Sequence, residues 1–251
     1  MSGRRTWRVL GMVLIGCIVP PGAHARTRRT VPRKSVHAVP RSSMRAVRSE
    51  PLSSPRPEVE RLALTAYACG RPLFAGRLLT IIDYSLPSTE RRLWVIDVPS
   101  RRVVFNELVA HGAGSGENYA AAFSNQPGSR QSSLGLFRTE DVYLGEHGES
   151  LHLSGLEPGF NDRAMERAIA MHGAAYVSRE AIVARGQLGR SWGCPALERG
   201  VERRVIEQIK GGTALFVYYP DPHWLAGSRF LRCGGPTTRE AAESVAMPGA
   251  G

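Results

Sequence analysis

The feature that most constrains the fold is a series of short β-rich runs separated by turn residues. Each run is rich in aliphatic or aromatic residues and is followed by Gly, Pro, Ser, Asp or Asn within a few positions. The runs lie at 78–83, 92–97, 102–109, 135–139, 150–153, 168–171 and 213–219. This pattern predicts a mainly β domain with a few helices, of the α+β class, whose last run is a buried strand.

Two helices are predicted beside these strands. In the segment 57–69, apolar residues recur at helical spacing, at Val59, Leu62, Ala63 and Ala66. Gly70 follows that segment as a stop signal. A second helix is predicted at 196–210. We therefore expect one folded domain at residues 58–231 and a frayed tail at 232–251.

The N-terminus has the pattern of an export signal. Arginines precede the apolar run 9–19, and Ala23-His24-Ala25 offers small residues at a cleavage site, so a signal peptide is predicted at 1–25. In a second interpretation, the segment 14–17 is a bacterial lipobox, and Cys17 is lipidated. Both interpretations place the protein in the periplasm or cell envelope, where disulfides form.

The basic charge is confined to the first part of the chain. The net charge is +11, but residues 1–58 hold twelve basic and two acidic side chains, whereas the remainder holds 21 and 20. A nearly neutral domain argues against nucleic-acid binding. Residues 26–57 are rich in Arg, Pro and Ser and are predicted to be a flexible basic linker, with adhesion to an anionic cell surface as the alternative. No run is long enough for a transmembrane helix.

Three cysteines remain after the predicted cleavage, namely Cys69, Cys194 and Cys233. An odd number in an oxidising compartment leaves at least one thiol unpaired within the chain. Cys69 and Cys233 flank the strand-rich region, and a bridge between them would close a long loop. That bridge would leave Cys194 free, but the sequence alone does not decide whether it forms.

Cys194 stands in a sequence typical of a reactive thiol. Gly189 and Gly193 permit a tight turn, and Pro195 suits the first turn of the helix predicted after it, whose N-terminus would favour the thiolate. The N–H groups of Gly193 and Cys194 are candidates for an oxyanion hole. His172 ends an apolar run upstream and is the candidate base.

Other catalytic chemistries fit less well. Gly189-x-Ser191-x-Gly193 matches the nucleophile elbow of serine hydrolases, but 185–189 is a poor strand, and no acid and His follow at suitable positions. No HExxH helix or CxxC pair indicates a metal site. No P-loop or dinucleotide fingerprint is present, and no cofactor is expected.

Two motifs together resemble the active-site signature of a known family, the L,D-transpeptidases of bacterial cell-wall synthesis. They are His172-Gly173 and Ser191-Trp192-Gly193-Cys194. The resemblance is closest to the murein L,D-transpeptidase catalytic domains and covers roughly residues 78–220. Further matching segments are 84–87, 109–112, 123–125, 132–135, 155–157, 161–162 and 189–191.

This resemblance implies a mixed β-sandwich and a covalent two-step mechanism on peptidoglycan stem peptides. Cys194 would attack the carbonyl between stem positions 3 and 4, and His172, oriented by the main-chain carbonyl of Gly173, would protonate the leaving D-Ala. An amine of a neighbouring stem would then form a 3→3 cross-link. Water as acceptor would instead make an L,D-carboxypeptidase or endopeptidase. Carbapenem β-lactams are the expected covalent inhibitors.

The chain departs from the family pattern at two positions. Trp192 replaces a second His, and Ala196 replaces an Arg or Asn that can help bind a stem carboxylate. Arg190 is the candidate to take over that contact. Ser191 is expected to be a hydrogen-bonding wall of the site rather than a nucleophile. His111 and Ser133 are candidates for lining the donor cleft, with a purely structural role as the equal alternative for each. A non-catalytic wall-binding module is the alternative from another class.

Overall fold

The structure is a computed structural model that describes residues 53–233. Within that range the chain forms eight strands and four α-helices. The strands are β1 (Leu78–Asp83), β2 (Leu93–Asp97), β3 (Arg102–Glu107), β4 (Gly135–Gly145), β5 (Gly148–Gly155), β6 (Ala170–Ala174), β7 (Ala196–Glu198) and β8 (Ala214–Tyr218). The helices are α1 (Pro57–Gly70), α2 (Arg179–Arg185), α3 (Val201–Ile209) and α4 (Pro222–Gly227).

All eight strands belong to one mixed sheet in the order β3-β2-β1-β8-β4-β5-β6-β7. Most neighbours are antiparallel, but β8 runs parallel to β1, and β7 runs parallel to β6. The two ends of the sheet also meet, because the Ala110 N–H, just after β3, donates to the Ala196 carbonyl of β7 at 2.9 Å. The sheet is therefore curved back on itself, and the mainly β prediction is confirmed.

The hydrophobic core is built on the central strands. Every residue of β8 is buried, which agrees with the prediction of a buried last strand. Helix α1 contacts β1 and β8, and α3 contacts β6 and β7. In α1 the buried residues Val59, Ala63 and Ala66 lie on one face, as their spacing predicts.

The prediction of a helix at 196–210 is wrong for its first third. Residues Ala196–Glu198 form strand β7, and the helix begins only at Val201, after Gly200 has turned the chain at φ +84°. Local propensity favours a helix here, but the backbone of this segment forms hydrogen bonds with a neighbouring segment on each side. The Pro195 carbonyl accepts from the His172 N–H at 3.4 Å, and Ala196 bonds to Ala110 on its other side. These long-range pairs override the local preference.

Cys69 and Cys233 are joined in a disulfide, with their Cα atoms 5.8 Å apart. The structure thus decides the pairing that the sequence leaves open, and Cys194 is not part of it. It ties the end of α1 to the segment that follows the short 3₁₀-helix Arg229–Leu231. Cys194 is the one free cysteine among residues 53–233.

The predicted signal peptide 1–25 with Cys17, the linker up to residue 52 and the tail from residue 234 lie outside the described residues. Within residues 53–233, no helix combines the length and the apolar character needed to cross a membrane.

Candidate active site

The predicted nucleophile and base lie in one cleft of about 710 Å³ at the end of the sheet where β6 and β7 pair. Three segments form it: the β4–β5 hairpin, residues 167–172 and the loop 190–194. Of the predicted site residues, five line the cleft, namely His172, Arg190, Ser191, Trp192 and Cys194. Arg167, Tyr176 and His147 also line it, although none of them was predicted.

The Cys194 thiol is half-buried and is held by the backbone that leads into β6. Its Sγ accepts from the Ala170 N–H at 3.4 Å and lies 3.7 Å from the Ala168 carbonyl oxygen. Burial raises the pKa of Cys194, while the Ala170 N–H and the charge of Arg167 lower it. The predicted stabilisation by a helix N-terminus is wrong, because a strand follows Cys194. The resting thiol is therefore protonated at neutral pH.

His172 is the central residue of β6, where it lies opposite Ala196 of the parallel strand β7. Its ring is buried, and its Nδ1 lies 3.2 Å from the carbonyl oxygen of Gly173. An Nδ1–H donated to that oxygen leaves the lone pair on Nε2, the tautomer that can accept a proton from a thiol. Burial lowers the pKa of His172, so the resting imidazole is neutral.

A second imidazole covers His172. His147, in the turn of the β4–β5 hairpin, stacks on the His172 ring with centroids 4.3 Å apart and planes 23° apart. Its charge lowers the pKa of His172 further. In the sequence His147 is one of several scattered histidines, and only the length of the hairpin brings it over the site.

Arg167 is fixed beside the thiol by four hydrogen bonds. Its guanidinium donates to the carbonyl oxygens of Ser124 and Gln131, at 2.7 and 2.6 Å, and to the hydroxyls of Ser133 and Ser129, at 2.5 and 3.2 Å. Because these bonds immobilise the side chain, its positive charge stays near Cys194, whose pKa it lowers. Nothing in its local sequence distinguishes Arg167 from the other arginines of the chain.

Replacing Arg167 by Met is expected to raise the pKa of the Cys194 thiol and to slow its alkylation by iodoacetamide about threefold or more at pH 8. The measurement is the rate of mass gain on the intact protein over a range of pH. Arg163→Met is the matched control, because Arg163 lies four residues away in an exposed pair with Glu166 at 2.8 Å. Equal rates in both variants would show that the Arg167 charge does not act on the thiol.

The conformation of the loop 189–194 is fixed by Gly193 and by hydrogen bonds within the loop. Gly193 has φ +123°, and a Cβ there would lie 2.7 Å from the Gln131 carbonyl oxygen, so only glycine fits. The Gly193 N–H donates to Ser191 Oγ at 3.1 Å, and that hydroxyl donates to the Cys194 carbonyl at 2.6 Å. The prediction for Gly193 is thus corrected: its N–H is used inside the loop, which leaves the Cys194 N–H as the oxyanion candidate. Ser191 has the structural part that was expected of it.

Trp192 and Arg190 stand at the mouth of the cleft. Trp192 is 73% exposed, and the Arg130 guanidinium lies 4.9 Å from its ring centroid, in a cation–π contact. Arg190 donates to the Gly116 carbonyl at 3.0 Å and pairs with Glu117 at 2.6 Å. Arg190 is thus partly neutralised by Glu117, and Arg167 is the cation whose charge lowers the pKa of Cys194.

Tyr176 adds a neutral donor to the cleft wall. Burial raises its pKa to about 12, and the charge of Cys194 acts in the same direction, so the phenol stays protonated at neutral pH. Gly189 makes room for this side chain, since a Cβ at Gly189 would lie 2.4 Å from Tyr176 Cβ.

His111 and Ser133 do not line the cleft, which corrects the prediction that placed them there. His111 is fully buried, with its Nδ1 2.7 Å from a guanidinium nitrogen of Arg92, and burial and this cation lower its pKa to about 4. Ser133 accepts a hydrogen bond from Arg167 and donates to the Ser124 carbonyl at 2.8 Å. Their part is structural, and Ser133 acts on the site only through Arg167.

Among residues 53–233, no group of three or more His, Cys, Asp or Glu side chains is arranged to hold a metal ion. The groups that line this cleft and can carry chemistry are a thiol, imidazoles, phenols, guanidinium groups and the carboxylate of Glu146.

Comparison with known proteins identifies the family of this chain. A sequence model described as the L,D-transpeptidase catalytic domain matches residues 56–218, more than half of the chain. No curated protein sequence matches significantly. Among solved structures, an L,D-transpeptidase from Mycobacterium smegmatis aligns at 10% identity and TM-score 0.37, covering 58% of this chain and 60% of that one.

Two further structures align at similar levels. An L,D-transpeptidase from Stackebrandtia nassauensis has 14% identity and TM-score 0.35, and the alignment covers 64% of this chain and 66% of that one. The L,D-transpeptidase LdtMt1 in complex with imipenem has 12% identity and TM-score 0.35, and the alignment covers 57% of this chain and 59% of that one. The chain thus spans about 60% of the length of the first of these structures. The family assignment rests on the sequence match: the chain belongs to the L,D-transpeptidase catalytic domain family.

Proposed function

We propose that this protein is a peptidoglycan L,D-transpeptidase with Cys194 as nucleophile and His172 as general acid–base. The observation that carries the proposal is that both side chains line one cleft, with His172 Nδ1 directed at the Gly173 carbonyl. The same geometry explains why a glycine-rich loop and a histidine separated by 22 residues belong to one site.

In the first step, the thiol attacks the carbonyl between stem positions 3 and 4. Since the pKa of Cys194 is raised and that of His172 is lowered, the resting pair is neutral, and the thiol proton passes to Nε2 as the S–C bond forms. The Cys194 N–H is the donor available to the developing oxyanion. When the C–N bond breaks, His172 returns the proton to the departing D-Ala amine, and a thioester remains.

In the second step, an amine of a neighbouring stem attacks the thioester. His172 takes a proton from that amine, the C–S bond breaks, and the proton restores the thiol. With water in place of the amine, the same groups would perform an L,D-carboxypeptidase or endopeptidase reaction. The acceptor therefore decides between the two activities, and the catalytic pair serves both.

The charges of the cleft support binding of an anionic donor. Stem peptides carry carboxylates, and Arg167 and Arg190 both line the cleft. Arg130, held over the exposed ring of Trp192, adds a third cation at the mouth. We propose that these cations replace the contact that Ala196 cannot make, and that a carbapenem, whose ring carries a carboxylate, acylates Cys194.

We further propose that the protein acts in the periplasm or cell envelope, where its substrate lies. The export signal in the sequence supports this location, and the basic residues 26–57 would serve as a tether beside an anionic wall. A wall-binding module without catalysis is the competing function from another class, because the same tether would serve it.

Tetrapeptide muropeptides incubated with the purified protein test the proposal, with products read by mass spectrometry. Dimers joined 3→3 are expected from the wild type, and their formation should fall at least about 10³-fold in Cys194→Ala, which lacks the nucleophile. Tripeptides alone would identify a hydrolase. If neither product forms while both proteins pellet equally with sacculi, the binding module replaces the enzyme.

A further inference from the structure

Glu202, in the first turn of α3, lies against Gly173 on the side of β6 that α3 covers. A Cβ built on Gly173 would lie 2.5 Å from the carboxyl carbon of Glu202 and 2.7 Å from its Oε1. Any residue other than glycine would push this carboxylate away. The Gly173 carbonyl that accepts from His172 thus belongs to a residue whose missing side chain leaves room for a carboxylate.

The position of this carboxylate is not explained by a stabilising contact. Its Oε2 is buried and has no hydrogen-bond partner within the described part of the chain. The adjacent cation Arg203 is paired elsewhere, with Glu149 at 2.9 Å. A carboxylate oxygen shut off from water without a partner costs free energy. A helix N-terminus favours an acid in its first turn, but that effect requires neither burial nor contact with Gly173.

Among the groups packed around His172, the carboxylate whose charge acts on its pKa is that of Glu202. His147 stacks on it from the β4–β5 hairpin, Ser150 is its partner in β5, and Cys194 shares the cleft with it. Glu146 also lines the cleft, on the hairpin beside His147. Of the charged groups, His147 lowers the pKa of His172, whereas Glu202 raises it.

We propose that Glu202 is a positioning residue of the catalytic pair: held against Gly173, its carboxylate stabilises the imidazolium form of His172 from behind and keeps the Gly173 carbonyl aimed at Nδ1. The proposal rests on the proposed function for its catalytic consequence only. Its physical content, an anion acting on His172, holds for the free protein. Burial destabilises the imidazolium form of His172, which both steps of the reaction require. The negative charge of Glu202 offsets part of this destabilisation.

The test replaces Glu202 by Gln, which keeps the shape and removes the charge. The pKa of His172 is measured in the free protein by NMR titration of the imidazole, and acylation of Cys194 by imipenem is followed at pH 7. Glu202 raises the pKa of His172 by less than burial lowers it, so removal of its charge is expected to produce a further, measurable fall in that pKa. Acylation should slow in proportion, by about tenfold for each unit of that fall, because less of the thiolate–imidazolium pair is then accessible. Glu207→Gln, on the same helix but exposed and paired with Lys210 at 2.8 Å, should change neither quantity.

An unchanged pKa of His172 in Glu202→Gln would overturn the proposal, as would equal shifts in Glu202→Gln and Glu207→Gln. If the glutamine variant does not fold, Glu202→Asp serves instead. It keeps the charge but withdraws it by one methylene, and a smaller fall in the pKa is expected, with no fall counting against the proposal. A shifted pKa in a protein that makes no muropeptide product would refute the proposed function and leave this inference standing.

Discussion

Replacing His172 by Gln is expected to slow acylation of Cys194 by a carbapenem about 10³-fold at pH 7. The size of the effect follows from the thiol. Burial raises the pKa of Cys194, and β7 rather than a helix follows it, so no helix N-terminus favours the thiolate. A protonated thiol is a poor nucleophile, and the neighbouring imidazole is needed to take its proton.

The measurement is the second-order rate of mass gain on the intact protein between pH 6 and pH 10. The rate of His172→Gln should rise about tenfold per pH unit up to the pKa of the thiol, because free thiolate is then the only nucleophile. His223→Gln is the control, since His223 contacts Phe160 rather than residues of the cleft. A wild-type rate in His172→Gln at pH 7 would mean that the thiolate forms without His172, which would contradict the assignment of His172 as the base.

Removing the disulfide in a Cys69→Ser, Cys233→Ser double variant is expected to lower the free energy of unfolding by up to about 5 kcal/mol. The bridge joins residues separated by 164 positions, so it restricts nearly the whole domain in the unfolded chain. It also holds α1, which packs on β1 and β8 at the centre of the sheet. The cleft lies at the β6–β7 end of the sheet, so activity per folded molecule should change little.

Chemical denaturation of the wild type and the double variant measures this effect. Cys194→Ser is the matched control, because it removes a cysteine that is not bridged and should unfold near the wild-type midpoint. Adding a reductant should lower the wild-type midpoint to that of the double variant. A reductant that leaves the wild-type midpoint unchanged would contradict the stabilising role of the bridge.

Much of the fold can be predicted from local patterns in the sequence. The predicted run at 78–83 coincides with β1, and the predicted helix at 57–69 agrees with α1 within one residue. β1 is apolar because both of its faces are buried, and α1 shows a helical period because one of its faces is buried, so each element leaves its pattern within its own segment. Cys194 and His172 lie in one cleft, as predicted. The prediction was possible because the glycines beside Cys194 and the apolar run that ends at His172 are local features of the sequence.

Two of the errors arise from contacts between segments that are distant in the sequence. Residues 196–198 form a strand because Ala110 and His172 provide hydrogen-bond partners that lie far from it along the chain. His111 is buried against Arg92, which lies 19 positions away. The error at Gly193 is local, because its N–H donates to Ser191 Oγ only two residues away, and the residue types of this loop do not specify its conformation.

The sequence by itself determined the strand-rich class and the candidate thiol with its histidine, since each depends on residue type and local spacing. The pairing of Cys69 with Cys233 was decided by the tertiary structure. Only the tertiary structure decided the electrostatics of the thiol and its histidine. Arg167, His147 and Glu202 come from three different segments and act on the thiol or the imidazole across space. Charge–charge interactions depend on the distance between the charges and on their burial rather than on position along the chain. Both the distances and the burial are set only when the chain folds.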